Sequence, residues 1–193
     1  MNTAEYTLAK KFLGSDIPIN EDELQAFADL IERRSLRKKE HLLQQGEISR
    51  HFILVESGML RQYYYKNGKE VTEHFAVEGK PIWCIESLFR EAPTELMVEV
   101  LEDGIFGLVP YGSFKNLAQK YPGLFQILIR MLEGSLVQSQ QKADSWKFES
   151  ARDRYERFLR EYPEASKRAS INHIASYLLL SPETLSRVRA GKL

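Results

Sequence analysis

The sequence predicts an α+β protein: an N-terminal jelly-roll barrel (a double-stranded β-helix), then a long helix and a C-terminal pair of short helices. Three observations support this prediction. Short apolar runs separated by breaks rich in Gly, Asn and Ser are typical of a β-sandwich or barrel. A heptad-spaced apolar pattern begins at residue 122, and residues 170–193 contain two helical patterns joined by a short turn.

Bulk composition excludes several classes of protein. The chain has 193 residues, of which 43% are hydrophobic and 28% are charged, which suffices for a hydrophobic core. Its single cysteine, Cys84, excludes an intrachain disulfide framework and an all-cysteine iron–sulfur site within one chain. No apolar run approaches the ~18 residues of a membrane helix, and the N-terminus lacks the apolar region of a secretory signal. We therefore expect a cytoplasmic protein with no membrane partner, and we expect Cys84 to be a buried, inert thiol.

Charge is distributed unevenly along the chain. Basic and acidic side chains number 27 each, but residues 147–193 carry ten basic and six acidic ones. A basic C-terminal segment on an acidic remainder is expected where only that segment meets phosphate.

The first predicted element is a helix from Asn20 to Arg33. Asn20 and Glu23 form a capping-box pattern, in which each side chain accepts a hydrogen bond from the other residue's backbone N–H. The apolar stripe of this helix consists of Leu24, Phe27, Ala28 and Ile31.

Short strands are predicted after residue 35. Asn67-Gly68 between two apolar runs is the strongest hairpin signal and predicts a type I′ turn. Strand breaks are also predicted at Ser57-Gly58 and Asp103-Gly104. The predicted strands cover residues 42–43, 52–55, 59–65, 71–77, 97–101 and 105–109.

A short helix from Tyr111 to Tyr121 is expected to precede a long one that begins at Pro122. The apolar residues of the long helix are spaced alternately by four and three, the period of a coiled coil, which indicates a seam for a partner helix. A helix packed along its own barrel would also fit this pattern. The seam consists of Phe125, Ile129, Leu132, Leu136, Ser139, Ala143 and Trp146.

A further helix is predicted from Ser150 to Tyr162, with Ser150 and Asp153 as its capping pair. Residues 146–151 form the expected hinge. The predicted divisions are therefore residues 1–121 for the barrel, 122–149 for the long helix and hinge, and 150–193 for the C-terminal unit. The expected core side of this further helix consists of Tyr155, Phe158 and Leu159.

The outward face of the last predicted helix carries groups that bind DNA. Ser181 and Pro182 favour the start of this helix, and only Leu185 and Val188 face inward. Hydroxyls bind phosphate, a glutamate can accept from cytosine N4, and an arginine can donate to guanine O6 and N7. Two helices joined by a short turn form a helix-turn-helix, although a helical hairpin with a solvated face is a simpler alternative. The candidate DNA-binding residues are Ser181, Glu183, Thr184, Ser186, Arg187 and Arg189, with Arg187 as base reader.

The segments Ile174 to Leu178 and Leu180 to Arg187 resemble the DNA-binding signature of the Crp–Fnr family of bacterial regulators. Two positions depart from it: Leu179 stands where the family commonly has Gly, and Pro182 where some members have Arg. The order of Gly46-Glu47, Gly58 and Gly68-Lys69-Glu70 resembles the family's sensor barrel.

This resemblance implies a cyclic-nucleotide-binding-like sensor barrel, a dimerising long helix and a winged helix-turn-helix. The protein would act as a homodimer on palindromic double-stranded DNA, with RNA polymerase and an unknown small-molecule effector as further partners. The wing is expected to be reduced to the turn near residues 163–168, or absent. No catalysis and no cofactor are expected.

Cyclic-nucleotide binding is not expected in this chain. The resemblance implies that nucleotide-binding members use a Gly-Glu pair and, further along, an Arg followed by Ser or Thr. In this chain Glu86-Ser87 is the remnant of the Gly-Glu pair, and the glycine is missing. Thr94-Glu95-Leu96 stands where the arginine is expected. A carboxylate there repels a phosphate. The remaining candidate ligand-binding residues are Glu86, Ser87 and Arg90.

Two other classes of protein stay open. A cupin-like barrel would use His51 and Glu56, but Ile53 stands where a second histidine is needed, and one histidine with one glutamate makes a poor metal site. We therefore expect no metal. A signalling or interaction module would dimerise through the long helix without binding DNA. No catalytic Ser/His/Asp or Cys/His grouping is present, so we expect no enzyme.

Overall fold

The computed structural model of the chain describes residues 3–192, apart from the side chain of Trp146. Within these residues the chain forms nine helices and six strands. The helices are α1 (Ala4–Leu13), α2 (Glu21–Ala28), α3 (Ile85–Arg90), α4 (Tyr111–Ala118), α5 (Pro122–Phe148), α6 (Ala151–Glu161), α7 (Pro163–Arg168), α8 (Ile171–Leu178) and α9 (Pro182–Arg189). The strands are β1 (Glu32–Leu36), β2 (His41–Leu43), β3 (His51–Lys66), β4 (Lys69–Ala76), β5 (Pro81–Ile82) and β6 (Met97–Pro110).

The strands form one antiparallel sheet that is built around the long strands β3 and β6. The order along the sheet is β1, β6, β3, β4, while β2 pairs with β6 and β5 pairs with β3. This sheet and the helices after it confirm the predicted α+β class with an N-terminal barrel.

Two predicted strand breaks are instead bends within continuous strands. Ser57-Gly58 lies inside β3 and Asp103-Gly104 lies inside β6, where the pairing register shifts between Val55 and Met59. Gly58 has a φ of +92°, and a Cβ on Gly104 would lie 2.1 Å from the Ser57 carbonyl oxygen. The two strands therefore need glycine here because their backbones touch at a bulge.

The predicted hairpin at Asn67-Gly68 is confirmed. Both residues have positive φ, 51° and 73°, as a type I′ turn requires, and Lys66 pairs with Lys69 across it.

The first predicted helix is real but shorter than expected. Its capping box between Asn20 and Glu23 is present, yet α2 ends at Ala28 rather than at Arg33. Residues 32–36 instead pair with β6, beginning with Glu32 opposite Leu108. Strand pairing with distant residues therefore overrides the local helical pattern after Ala28. Helix α1 was not predicted from the sequence.

The long helix α5 has two different apolar faces. Leu124, Ile127 and Leu128 are buried against the barrel and α1–α2, as the alternative interpretation expected. The predicted seam lies beside this inner face: Phe125 is 49% exposed and Leu136 is 62% exposed. Trp146, its last member, has a side chain outside the described part of the chain. The helix therefore packs on its own barrel and still exposes Phe125, Ile129 and Leu136 of the predicted seam.

The C-terminal helices share a hydrophobic cluster with the barrel. Met59, Phe75 and Leu101 of the barrel pack with helices α6 to α9. The predicted hinge at residues 146–151 thus lies between two parts that are in direct contact. The C-terminal members of this cluster are Phe158, Ala165, Ile174, Ala175, Tyr177, Leu178 and Leu185.

Candidate nucleic-acid interface

Helices α8 and α9 are joined by a tight turn at Leu179-Leu180. Leu179 adopts the left-handed conformation, with φ 54° and ψ 42°, and the Leu180 N–H donates to the Ala175 carbonyl at 2.9 Å. This bond is that of a Schellman motif, which normally has glycine at the left-handed position. Leucine makes the turn more costly by about 1–2 kcal/mol, but the turn still forms.

The second helix of the pair presents its polar face to solvent. The Ser181 hydroxyl accepts the Thr184 N–H at 3.1 Å, so Ser181 caps α9 with Pro182 in the first helical position. Leu185 and Val188 are buried, as predicted. A hydrogen bond from Ser181 lowers the pKa of Glu183, which keeps this carboxylate ionised. The structure leaves Ser181, Glu183, Ser186, Arg187 and Arg189 exposed and Thr184 half-buried.

The first helix of the pair is anchored to the edge of the barrel sheet. The Ser176 hydroxyl accepts the Thr72 N–H at 2.8 Å and donates to the Glu70 carbonyl at 3.0 Å. Strand β4 is an edge strand, so Ser176 satisfies backbone groups that would otherwise lack partners. The orientation of α8 is therefore set by the barrel.

An arginine on α7 ties the C-terminal unit to two barrel glutamates. Arg168 donates to Glu78 at 2.8 Å and to Glu102 at 3.1 Å, and its side chain is 25% exposed. These hydrogen bonds lower the pKa of Glu78. In the same unit Arg154 donates to the carbonyl of Leu178 at 2.7 Å, at the carboxyl end of α8. Charge-assisted bonds of this kind fix orientation as well as stabilise contact.

A buried polar network lies under α6, between β4 and α5. His74 Nδ1 lies 3.2 Å from the Tyr162 hydroxyl, which also accepts from Gln138 at 3.0 Å. Nearby, Lys142 donates to the Glu73 carbonyl at 2.7 Å. Burial, and then the charge of Lys142, lower the pKa of His74 to about 3. His74 is therefore neutral in the folded protein at every pH near neutrality.

We expect the stability of the protein to fall below pH 6.5 because of His74. The unfolded chain binds a proton there with a pKa of about 6.5, whereas the folded chain does not until about pH 3. Folding therefore loses about 1.4 kcal/mol per pH unit in this window, or about 2 kcal/mol at pH 5. Urea unfolding of His74→Gln at pH 7.5 and 5.0 should show this loss removed. His41→Gln, at an exposed position of β2, is the control, and an unchanged pH dependence in His74→Gln would contradict the account.

The segment where a reduced wing is expected forms a helix. Residues 163–168 are α7, which begins with Pro163 and packs through buried Ala165. No strand is described between α6 and α8. The C-terminal unit thus consists of helices alone within residues 151–192.

The predicted ligand residues on α3 all have partners within the protein. Glu86 and Arg90 form an exposed ion pair at 3.2 Å, and Ser87 accepts the Ser49 N–H at 2.9 Å and donates to the Ala92 carbonyl at 2.6 Å. Just before α3, Trp83 Nε1 donates to Ser135 of α5 at 3.2 Å. This hydrogen bond joins the segment before α3 to the long helix.

Cys84 is buried, as predicted. Burial raises the pKa of its thiol to about 12, and the Gln62 amide donates to Sγ at 2.8 Å. A thiol in this state is not nucleophilic.

The described part of the chain contains neither a candidate metal-binding cluster nor a membrane-spanning helix. Within residues 3–192, no group of three or more His, Cys, Asp or Glu side chains is arranged to hold a metal ion. No helix in the same range is both long enough and apolar enough to cross a bilayer.

The residues that fix the helix pair on the barrel were not predicted. The local sequence shows only ordinary polar helix residues at Ser176, Arg168 and Lys142. Their partners lie 66 to 106 residues away in sequence. On α6, Asp153 accepts a hydrogen bond from Ser150, as the predicted capping pair requires. Local spacing therefore found the caps but not the long-range contacts.

Comparison with known proteins finds a family match within the barrel and similar regulators over most of the chain. Residues 33–121 match the cyclic nucleotide-binding domain family. The fumarate and nitrate reduction regulatory protein of Vibrio cholerae is 24% identical over 183 residues, which cover 88% of this chain and 72% of that protein. The anaerobic regulatory protein of Haemophilus influenzae is 24% identical over 186 residues, covering 88% of this chain and 70% of that protein. The chain is therefore similar to transcription regulators of the Crp–Fnr family.

Solved Crp–Fnr structures share the fold. FixK2 from Bradyrhizobium japonicum aligns with a TM-score of 0.71 and 22% identity over 83% of each chain. The catabolite activator protein of Thermus thermophilus aligns with a TM-score of 0.59 and 20% identity, over 94% of this chain and 86% of that one. Regulators of this family bind DNA and act as dimers, and these relatives are transcription regulators rather than enzymes.

Proposed function

We propose that the protein binds a palindromic double-stranded DNA operator as a homodimer, with α9 of each protomer in a major groove. The observation that carries this proposal is the exposed polar face of α9 on a helix pair whose inner side is buried. A recognition helix needs an inner side that is anchored to the protein and an outer side whose side chains are free to contact DNA. Helix α9 has both.

Each candidate DNA-binding residue of α9 has a role that follows from its chemistry. Arg187 is the base reader, because a guanidinium can donate two hydrogen bonds to guanine. Ser181, Thr184 and Ser186 donate to phosphate oxygens, and Arg189 adds charge at the end of the helix. Glu183 lies one turn before Arg187 and can accept from cytosine N4.

The exposed seam of α5 supports a homodimer. Phe125, Ile129 and Leu136 are between 36% and 62% exposed in the single chain and recur at heptad spacing. A second copy of the same helix would cover them in a symmetric, parallel pair. Two recognition helices would then lie about 34 Å apart, one turn of DNA, as a palindrome requires.

The barrel is proposed as a sensor that does not take a cyclic nucleotide. Trp83 hydrogen-bonds to Ser135, and Glu95 stands where the phosphate-binding arginine of nucleotide-binding relatives is expected. The three residues Glu86, Ser87 and Arg90 remain the sequence-based candidates for an effector of unknown chemistry. We place the protein in the cytoplasm, with the chromosome, and RNA polymerase is a proposed partner.

The experiment that tests the function compares two arginine variants on DNA. We expect wild type to bind a fluorescent fragment from upstream of its own gene, and Arg187→Ala to lose about 1–3 kcal/mol of discrimination against mutated operators. Arg50→Ala removes an exposed arginine just before β3 and serves as the control, which should bind as wild type does. Equal sequence preference in Arg187→Ala and wild type would exclude Arg187 as the base reader. A dimer with no DNA affinity would favour an interaction module.

A further inference from the structure

The last carbonyl of α8 is held by an arginine from another helix. The left-handed turn at Leu179 uses the carbonyls of Ala175 and Ser176, which accept the backbone hydrogen bonds that close it. These bonds leave the carbonyl of Leu178 free to accept from elsewhere. Nη1 of Arg154, on α6, donates to it at 2.7 Å. The carbonyls at the carboxyl end of a helix carry partial negative charge, so a cation is favoured at this place.

Arg154 differs from the arginines beside it on α6. Arg152 and Arg157 each pair with a glutamate, at 2.9 Å and 3.0 Å. Arg154 is half-buried and forms no ion pair with any residue in the described part of the chain. Its Nε is buried and has no hydrogen-bond partner among those residues. The charge of Arg154 is therefore balanced by the carboxyl end of α8 rather than by a carboxylate.

The same face of α6 packs on the last turn of α8. Phe158 lies one turn after Arg154, and its ring packs on Tyr177 at 5.2 Å between centroids. The guanidinium is thus presented to the turn from a helix that the aromatic ring holds in place. Helix α9 leaves α8 through this turn, so a side chain that holds the turn also sets the direction of α9.

The residue in the turn makes such a contact necessary. Leu179 has a φ of 54° and is 47% exposed. Its side chain therefore gains little from packing, while its backbone lies in a region that glycine adopts without strain and other residues do not. A glycine would hold the left-handed conformation unaided, whereas a leucine needs the surrounding structure to impose it.

We propose that Arg154 is a positioning residue for α9: its bond to the Leu178 carbonyl keeps Leu179 in the left-handed conformation and so fixes the angle of the recognition helix. This inference rests on the proposed function, because the angle of α9 matters only if α9 reads DNA. It predicts that the two residues are coupled. Loss of the arginine should matter much less when residue 179 is a glycine.

The first test measures the turn itself, without DNA. The Leu180 N–H donates to the Ala175 carbonyl only while the turn is formed, so its hydrogen-exchange rate, followed by NMR, reports the opening of the turn. We expect exchange about tenfold faster in Arg154→Met than in wild type, because a hydrogen bond from a charged donor is lost. In a Leu179→Gly background the same substitution should leave the rate nearly unchanged. Amides of β3 are the internal control for global unfolding.

Two results of the exchange experiment would overturn the proposal. One is an unchanged Leu180 rate in Arg154→Met. The other is an equal acceleration in the leucine and glycine backgrounds, which would show that Arg154 acts independently of Leu179.

The second test compares operator with unrelated DNA by fluorescence anisotropy, for the same four proteins. A misdirected recognition helix loses affinity for the operator alone, whereas partial unfolding or a lost phosphate contact lowers affinity for both DNAs. We expect the preference for operator to fall about tenfold in Arg154→Met and to recover in Arg154→Met/Leu179→Gly. Arg152→Met, which removes an exposed arginine from the same helix, is the control and should keep the preference of wild type.

The outcomes separate this inference from the proposed function. Equal losses on operator and unrelated DNA in Arg154→Met would overturn the positioning role. A wild type that binds no DNA would contradict the proposed function, and the exchange rates would still decide whether Arg154 holds the turn.

Discussion

Replacing Phe158 with alanine is expected to lower the free energy of unfolding by about 3–5 kcal/mol, because a large buried ring would leave a cavity. Phe158 is fully buried on α6, and its ring packs on Phe75 of the barrel at 5.9 Å and on Tyr177 of α8 at 5.2 Å between centroids. It therefore belongs to the cluster that joins the barrel to the helix pair. Urea unfolding, followed by circular dichroism, measures the effect.

The neighbouring residue supplies a matched control for this variant. The sequence predicted Leu159 on the core side of α6, but this was wrong: the residue is 37% exposed. Leu159→Ala should therefore cost less than about 1 kcal/mol. DNA affinity should fall in Phe158→Ala because α8 and α9 lose part of the hydrophobic cluster that holds them in place. Equal stabilities of the two variants would show that the barrel and the helix pair do not share a core.

Replacing Leu136 with glutamate is expected to raise the dimer dissociation constant by about 100-fold or more. The residue is 62% exposed in the single chain, and in the proposed dimer it would meet its own copy across the seam. The variant loses two buried leucines and brings two like charges together, at a cost of about 3 kcal/mol. Analytical ultracentrifugation over a concentration series measures the change, and operator affinity should fall with it.

Val137 provides the control for the seam. It is 51% exposed and lies next to Leu136 in sequence, but it points away from the heptad positions. Val137→Glu should therefore leave the dimer intact. If Val137→Glu dissociates the dimer and Leu136→Glu does not, α5 pairs through a different face.

Local signals in the sequence predicted local structure well. The capping boxes at Asn20 and Ser150, the N-cap at Ser181 and the turn at Asn67-Gly68 are all observed. Each depends on residues within a few positions of one another, so their physical cause is contained in a short segment. The same reasoning placed Leu185 and Val188 inside and Arg187 outside.

Features that depend on distant partners were not predictable in this way. Glycines at positions 58 and 104 looked like turns, because nothing in either segment shows that they face each other in a bulge. Ser176 looked like a solvated residue of α8, and only the fold brings it to the edge of β4. The contact between barrel and helix pair therefore emerged only from the three-dimensional arrangement.

The most direct test of DNA binding is the salt dependence of wild-type affinity for the DNA upstream of its own gene. Fluorescence anisotropy between about 50 and 200 mM salt would give the slope of log affinity against log salt. For a dimer that makes about six to ten phosphate contacts, affinity should fall about 10³- to 10⁵-fold over that range. A protein that dimerises but shows weak affinity independent of salt would contradict the account, and would leave α8 and α9 as packing elements of the barrel.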